Sequence, residues 1–452
     1  MRSAGWLLQC EDDKADYAKR VERLDKGEID FAVATVDSYI LNAAPRKFPG
    51  AIIAVVDESK GGDAILAWQD VASNLEALKK RNDFKVGFTP NSPSHHLIKA
   101  TAEHFDVPQL LVTGARRVET DGSSDALQKL SGRKVEVAVL WEPDVSKALS
   151  QKGVVKLLGT ENTERLIVDI LLVGRKFAAN NPEAINLLLG TYFRVLKNYR
   201  DNPALLEQEV AKETKLSSDA VKAMLKGVQW ASLTDNGQKW FGVGGGADAG
   251  LITAIEATVK ILVASKDFSS NPIPDKDPYR LTYKKPIEDL LLSSASGFMD
   301  VGAKSPVPSE DSLKAAFSPL NDAGWASLKP VGALKIEPVV FQTGRGELHL
   351  QEKEKIDASV EKLRHYPKFR VLVKGHTALA GDPAENKKLS HERAESVARY
   401  LMVTYSIDTN RIKAVGMGSD EPLPLLPGES PNDRAYSYRL PRVELLLMSE
   451  TY

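Results

Sequence analysis

Residues 375–397 read GHTALAGDPAENKKLSHERAESV, and this stretch decides the fold of the C-terminal part of the chain. An apolar run, Phe369–Lys374, precedes the tripeptide Gly375-His376-Thr377, and a helical pattern follows over Ala384–Thr404. Within that pattern Leu389, Val397 and Leu401, with Tyr400 alongside, fall at the spacings that make one buried helical face. Such a face packs on a sheet containing Phe369–Lys374. Arg393 stands four residues from both Leu389 and Val397, so it lies near the same face at the helix start. In an anonymous helix it would read as a solvated arginine.

Around this stretch a compact pattern begins at Leu334. It predicts a strand (Ile336–Phe341), a helix (Glu352–Leu363), the strand and long helix already described, and two further strands (Arg411–Val415 and Arg442–Met448). The module expected over 331–452 is therefore α+β with the order βαβαββ. Before it, residues 267–330 are punctuated by Pro272, Pro274, Pro278, Pro286, Pro306, Pro308 and Pro319, which predicts a connector with short helical pieces rather than a core.

Residues 1 to about 180 alternate short apolar runs with helical patterns. Asp30–Ala34, Ala51–Val56 and Val135–Leu140 are expected as buried strands, and Ala64–Lys80 and His95–Phe105 as amphipathic helices. That alternation predicts an α/β fold with mostly parallel sheets. From Asn181 to about Lys266 the pattern turns mainly helical, with Pro182 suited to a first turn. The first module is thus expected over 1–266.

Composition narrows the function classes. At 452 residues the chain holds two or three domains with sizeable cores. Lys plus Arg number 60 against 61 for Asp plus Glu, so no excess charge argues for a nucleic-acid partner or an anionic membrane surface. Cys10 is the single cysteine, which excludes an intramolecular disulfide, a cysteine-rich zinc site and a CxxC redox pair. His95 and His96 are adjacent, and adjacent helical residues face different ways, so no metal site is expected there. Leu7-Leu8-Gln9-Cys10 resembles a lipoprotein cleavage box, but its apolar run is shorter than the roughly 7–15 residues of a signal core. A strand over Trp6–Gln9 is expected instead. No stretch approaches the roughly 18 apolar residues of a membrane span.

The C-terminal words resemble the signature of OmpA-like domains. They run Phe341-Gln342-Thr343-Gly344 before Leu348, Gly375-His376-Thr377, Asn386-x-x-Leu389-Ser390-x-x-Arg393-Ala394-x-x-Val397, Arg411-Ile412, Gly416-Met417-Gly418 and Arg442-Val443-Glu444. The resemblance implies binding to the stem peptide of peptidoglycan through its diaminopimelate residue, in the periplasm or cell envelope of a Gram-negative-type bacterium. Diaminopimelate offers an ammonium and a carboxylate, and an arginine fork suits the carboxylate. The implied peptidoglycan-binding residues are Arg393, Asn386, Ser390, Thr377 and Arg442. Where the family carries an acidic residue after Gly-His-Thr, this chain has Ala378; Asp382, four residues on, is the substitute if its loop folds back. Near the end Leu440-Pro441 stands where the family favours Asn-Arg, so wall binding is expected to be weakened or altered in specificity.

The N-terminal words resemble periplasmic solute-binding proteins of the nitrate, sulfonate and taurine ABC-transporter type. They include Leu24-x-x-Gly27-Glu28-Ile29-Asp30-Phe31-Ala32, Asp57-x-Ser59-x-Gly61-Gly62-Asp63-Ala64-Ile65, Lys85-Val86-Gly87-Phe88-Thr89, Val139-Leu140-Trp141-Glu142-Pro143-Asp144 and Asp169 ahead of Ile170–Val173. The resemblance implies two α/β lobes, joined by crossing strands, with a solute in the cleft between them. Ligands in such sheets sit beyond the carboxyl ends of strands, near helix N-termini. Three places qualify: Thr35, Asp37 and Ser38; Ser92, Ser94 and His95; and Trp141 with Glu142. Ser94 and Asp37 serve equally well as plain N-caps, and Trp141 as packing between lobes. Ser59 and Gly61-Gly62 suit a hinge turn. Such proteins begin with a further strand and helix, so an additional segment carrying an export signal or anchor is expected upstream of Met1.

Together these readings predict a non-catalytic envelope protein without cofactor or metal, binding a small polar or anionic solute and associating with peptidoglycan. No nucleophile–base–acid triad or phosphate-binding glycine loop is apparent. The alternative is a degenerate scaffold acting through membrane or envelope protein partners.

Overall fold

The computed structural model describes residues 5–243, 249–293, 312–339, 341 and 344–450. Gln342, Thr343, Pro306 and Pro308 of the motifs above lie outside them.

The first module opens with α1 (Tyr17–Lys26), capped by the Asp16 carboxylate and closed by Gly27 in the left-handed region. Its Val21 and Leu24 are buried against a four-stranded sheet of order β1-β8-β2-β9. These strands are β1 (Phe31–Thr35), β2 (Gly50–Ser59), β8 (Val168–Gly174) and β9 (Val228–Trp230), and all their pairings are antiparallel. A second sheet has the order β5-β4-β6-β3-β7, built from β3 (Asp63–Trp68), β4 (Val86–Phe88), β5 (Arg117–Glu119), β6 (Val137–Trp141) and β7 (Val154–Gly159). The chain crosses from the first sheet to the second between β2 and β3 and returns between β7 and β8. The sheets therefore form two lobes, I and II, hinged at those crossings. Among the described residues of this module only β4 pairs in parallel, with β5 and β6, so the expectation of mostly parallel sheets is corrected. The two crossing strands run against their neighbours.

Three expectations about elements change. Residues 63–68 are a strand and not the start of a helix: β3 lies between β6 and β7 with all six residues buried, and helix is confined to Leu75–Lys79. A strand buried on both faces loses the alternation that would mark it. Residues 6–9 form no strand; Leu7 is 70% exposed, and Trp6 packs edge-on against Phe177. The first stretch of the expected connector belongs to lobe I, where Ile273, Leu281 and Ile287 are buried and Tyr283 N–H donates to Ile52 O. Helices α2 (Val36–Ala43), α4 (Pro182–Asp201) and α7 (Gly250–Ala264) complete that lobe; α5 (Pro203–Thr214) and α6 (Ser218–Lys226) stand at its margin. α3 (Pro93–Phe105) covers lobe II and packs on α2 and α7 across the cleft.

The C-terminal sheet has the order β10-β13-β11-β12. Its strands are β10 (Lys329–Leu334), β11 (Arg370–His376), β12 (Ile412–Gly418) and β13 (Arg442–Ser449), covered by α8 (Leu350–Leu363) and α9 (Pro383–Tyr405). The first strand thus precedes the expected Ile336–Phe341. Val331 and Leu334 supply the buried residues, and the strand pairs with β13 through a bulge at Pro330. Two glycines set how closely α9 lies on this sheet. A Cβ on Gly375 would stand 2.0 Å from Ser390 O, and one on Gly416 2.4 Å from Lys387 O. No other residue type fits there.

Lobe II and the C-terminal module share one continuous core. Phe105 meets Tyr366 with ring centroids 4.9 Å apart, and His104 Nδ1 lies 2.8 Å from Tyr366 Oη. His104 stacks on His365, whose Nδ1 meets Glu164 O at 2.8 Å. Ala333 N–H donates to Glu76 Oε1, and Lys335 N–H donates to His104 O. The modules are fused side to side.

Candidate functional site

The interlobe hinge gathers carboxyl groups. Across the lobe I sheet, Thr35 pairs with Asp169 and Asp169 with Asp57, so the three form one row on β1, β8 and β2. Directly opposed residues share a face, and like charges so placed repel. Asp63 opens β3 opposite Trp141; its carboxylate accepts from Ser59 Oγ at 2.7 Å, and its N–H donates to Thr160 Oγ1. Asp37, in the first turn of α2, is 4% exposed, and its Oδ1 has no hydrogen-bond partner.

Burial pushes Asp37 up to about 7. Burial and the charge of Asp63 raise Asp57 to about 7, while burial raises Asp63 to about 6. Asp169 is held well above the ordinary carboxylate range by burial, then by Asp57. The Tyr17 and Tyr192 phenols are raised by burial and by these carboxylates, and Tyr192 Oη lacks a partner. The nearest cations are already engaged. Arg20 holds Asp13 and donates to Val33 O, and Lys99 Nζ donates to Asp267 Oδ1 at 2.7 Å.

The residues expected in the cleft divide by use. Thr35 and Ser38 cap α2 through a reciprocal box, which leaves Asp37 free of that duty. Ser92 Oγ donates to Thr89 O, whereas the fully buried Ser94 Oγ meets no partner. His95 packs on Phe88, and burial holds its ring at about 2; burial holds His96 at about 3, with neither ring nitrogen paired. Both rings are therefore neutral. The Glu142 carboxylate accepts from Ser146 N–H and Oγ, and so fixes the helix Asp144–Leu149. Trp141 is half-buried, with its backbone pinned by Ser123 Oγ. Sequence reading named Asp57, Asp63 and Asp169 only within the motifs and not among the cleft residues. Their signal was an aspartate at the edge of an apolar strand run.

In the C-terminal module Arg393 is 6% exposed, with its guanidinium 5.1 Å over the Phe341 ring and Nε donating to Arg345 O. Burial lowers its pKa from the ordinary arginine value. Ser390 Oγ accepts from Gly418 N–H, which ties α9 to β12, and Asn386 Nδ2 donates to Ala380 O, which closes the loop. Thr377 Oγ1 is buried without a partner beside Ala378. Asp382 faces its own helix: Oδ1 caps α9 by accepting from the Ala384 and Glu385 N–H groups. Arg442 binds Glu444 at 2.6 Å and the Leu440 and Glu421 carbonyls. Burial pushes Glu444 upward, but His376 and Arg442 outweigh it and hold the carboxyl at about 2. Among the described residues no group of His, Cys, Asp and Glu is arranged to hold a metal, and no helix is long and apolar enough to cross a membrane.

Residues 340–434 match the OmpA family model. Outer membrane protein Omp38 of Acinetobacter baumannii is 34% identical over 85 residues, covering 19% of this chain and 24% of Omp38. The probable lipoprotein YiaD of Escherichia coli is 32% identical over 102 residues, 23% of this chain and 37% of YiaD. The chain thus spans about a quarter of the length of Omp38. Among solved structures, the periplasmic aliphatic sulphonate binding protein SsuA from Escherichia coli covers 59% of this chain and 80% of its own, at 17% identity and a TM-score of 0.45. The peptidoglycan-associated lipoprotein from Burkholderia pseudomallei covers 29% of this chain and all of its own, at 25% identity and a TM-score of 0.22. Residues 340–434 thus match the OmpA family, and they follow a two-lobed α/β module.

Proposed function

We propose that this chain is a non-catalytic protein of the cell envelope that takes a small polar solute between lobes I and II and associates with peptidoglycan through its OmpA domain. The supporting observation for the wall is Arg393: a buried guanidinium, held by an aromatic face and a carbonyl, at the motif position suited to a stem-peptide carboxylate. The relatives named as outer membrane proteins support the envelope setting. For the solute, support comes from two lobes hinged at two crossings, with unpartnered buried polar groups on both sides of the cleft. Closure of one lobe on the other is the expected motion.

Purified diaminopimelate-type peptidoglycan should retain the wild-type chain in a pull-down, and Arg393→Ala should weaken retention about ten- to a hundredfold, the loss expected for one charge-assisted contact. Failure of the wild type to be retained would overturn the wall-binding reading. The second reading, a scaffold for envelope protein partners, draws on Ala378. The acidic contact is missing there, and Asp382 is spent as a helix cap.

A further inference from the structure

We propose that the interlobe hinge binds an organic cation, a solute bearing a primary or quaternary ammonium group, held by Asp37, Asp57, Asp63 and Asp169. This rests on the solute-binding reading above and reverses the sign of solute that the sequence resemblance suggested.

The argument starts from placement. Asp57 and Asp169 face each other across β2 and β8, the two strands that carry the chain into and out of lobe II. Asp63 lies just beyond the first crossing, so three carboxyls meet where the lobes join. The two side chains hydrogen-bond across the sheet, which requires one of them to keep a proton; two carboxylates there would repel. Residues set at a cost to stability are expected where function needs them.

A second observation is independent of that row. Asp37 approaches from a helix of lobe I, nine-tenths buried, with Oδ1 meeting no donor. A buried carboxylate oxygen without a partner costs free energy, and an ammonium N–H or a cationic methyl shell would satisfy it. The resident cations do not serve. From α1, Arg20 is bound to Asp13 and to the Val33 carbonyl; from α3, Lys99 is bound to Asp267. The other titratable groups acting on the cluster are Tyr17 on α1, Tyr192 on α4, Glu142 after β6 and Glu58 on β2, and the cations beside Glu58, Lys60 and Lys239, are bound to it. The Tyr192 ring adds a face of the kind that ammonium groups favour, whereas the Tyr17 ring already lies under the Arg20 guanidinium, 4.8 Å from its centroid.

Because Asp37 and Asp57, raised to about 7, are partly protonated near neutrality, cation binding should release protons. The full chain is titrated at pH 7 with putrescine, spermidine and choline, and separately with ethanesulfonate, nitrate and phosphate. Thermal shift and calorimetry in two buffers of different ionisation enthalpy provide the readouts. At least one amine should raise Tm and bind with proton release, while the anions do neither. Asp57→Asn and Asp169→Asn should each weaken amine binding at least tenfold, while the ligand-free Tm stays equal or rises, because each removes one of two opposed carboxyls. Should either fail to fold, Asp37→Asn carries the same expectation. Anion binding without amine binding would overturn the cation assignment and leave the solute-binding reading standing. Amine binding untouched by all three substitutions would overturn the site. No binding by any of the compounds would remove both.

Discussion

Position 378 carries a methyl group beside the buried, unpartnered hydroxyl of Thr377. The nearest candidate replacement for the missing acid, Asp382, is turned toward the N-terminus of α9. Ala378→Asp should therefore strengthen peptidoglycan binding about ten- to a hundredfold, the value of one charge-assisted contact. Titration with a diaminopimelate-containing muropeptide checks this, and unchanged affinity would show that the acid acts elsewhere. Arg393 was legible at this scale because a motif surrounds it. Asp57, Asp63 and Asp169 were not, since an aspartate at the end of an apolar run looks like a strand terminus. Only the pairing of β2 with β8 shows that two of them stand opposite each other.

At the scale of elements, α9 is held where it is by what the sheet omits. Gly375→Ala would drive a methyl group into the Ser390 carbonyl, 2.0 Å away, and only movement of the helix relieves it. Overpacking of this kind costs about 1–3 kcal/mol, so the melting temperature should fall. Peptidoglycan retention should fall with it, because Arg393 rides on the same helix. A melt followed by circular dichroism beside the pull-down separates the two effects. The long helix and its strand were legible from the spacing of Leu389, Val397 and Leu401. β3 was not, because it is buried on both faces, and neither was β10, whose position depends on the distant β13.

At the scale of the molecule, the two modules share the buried contact of His104, His365 and Tyr366. Burial holds His104 well below its ordinary value, so its ring is neutral in the fold, and burial shifts His365 in the same direction. The unfolded chain protonates His104 as pH falls through about 6.5. The folded chain does not, so the contribution of His104 to stability is complete above that pH and declines below it. The hinge carboxyls act in the opposite sense: raised in the fold, they favour it at acid pH and lose that contribution as pH rises toward 7. Comparison of variants isolates the histidine. At pH 8, His104→Asn should cost about 1–3 kcal/mol through its lost bond to Tyr366. The gap to wild type should narrow by about 1.4 kcal/mol per pH unit below about 6.5, as read by urea denaturation at pH 8, 6.5 and 5.5. A constant gap would mean that His104 takes up its proton in the folded state. None of this interface was legible in the sequence, because its partners stand some 260 positions apart.

The shared core also settles which part of the molecule can travel. With lobe II welded to the C-terminal module, a chain held by the wall as proposed would have one stationary jaw, and closure would fall to lobe I. The moving jaw carries α5 and α6 at its margin, outside the shared core. Capture of a solute would thus register as a swing of that margin against a fixed wall, a displacement that a neighbouring envelope protein can feel without touching the solute.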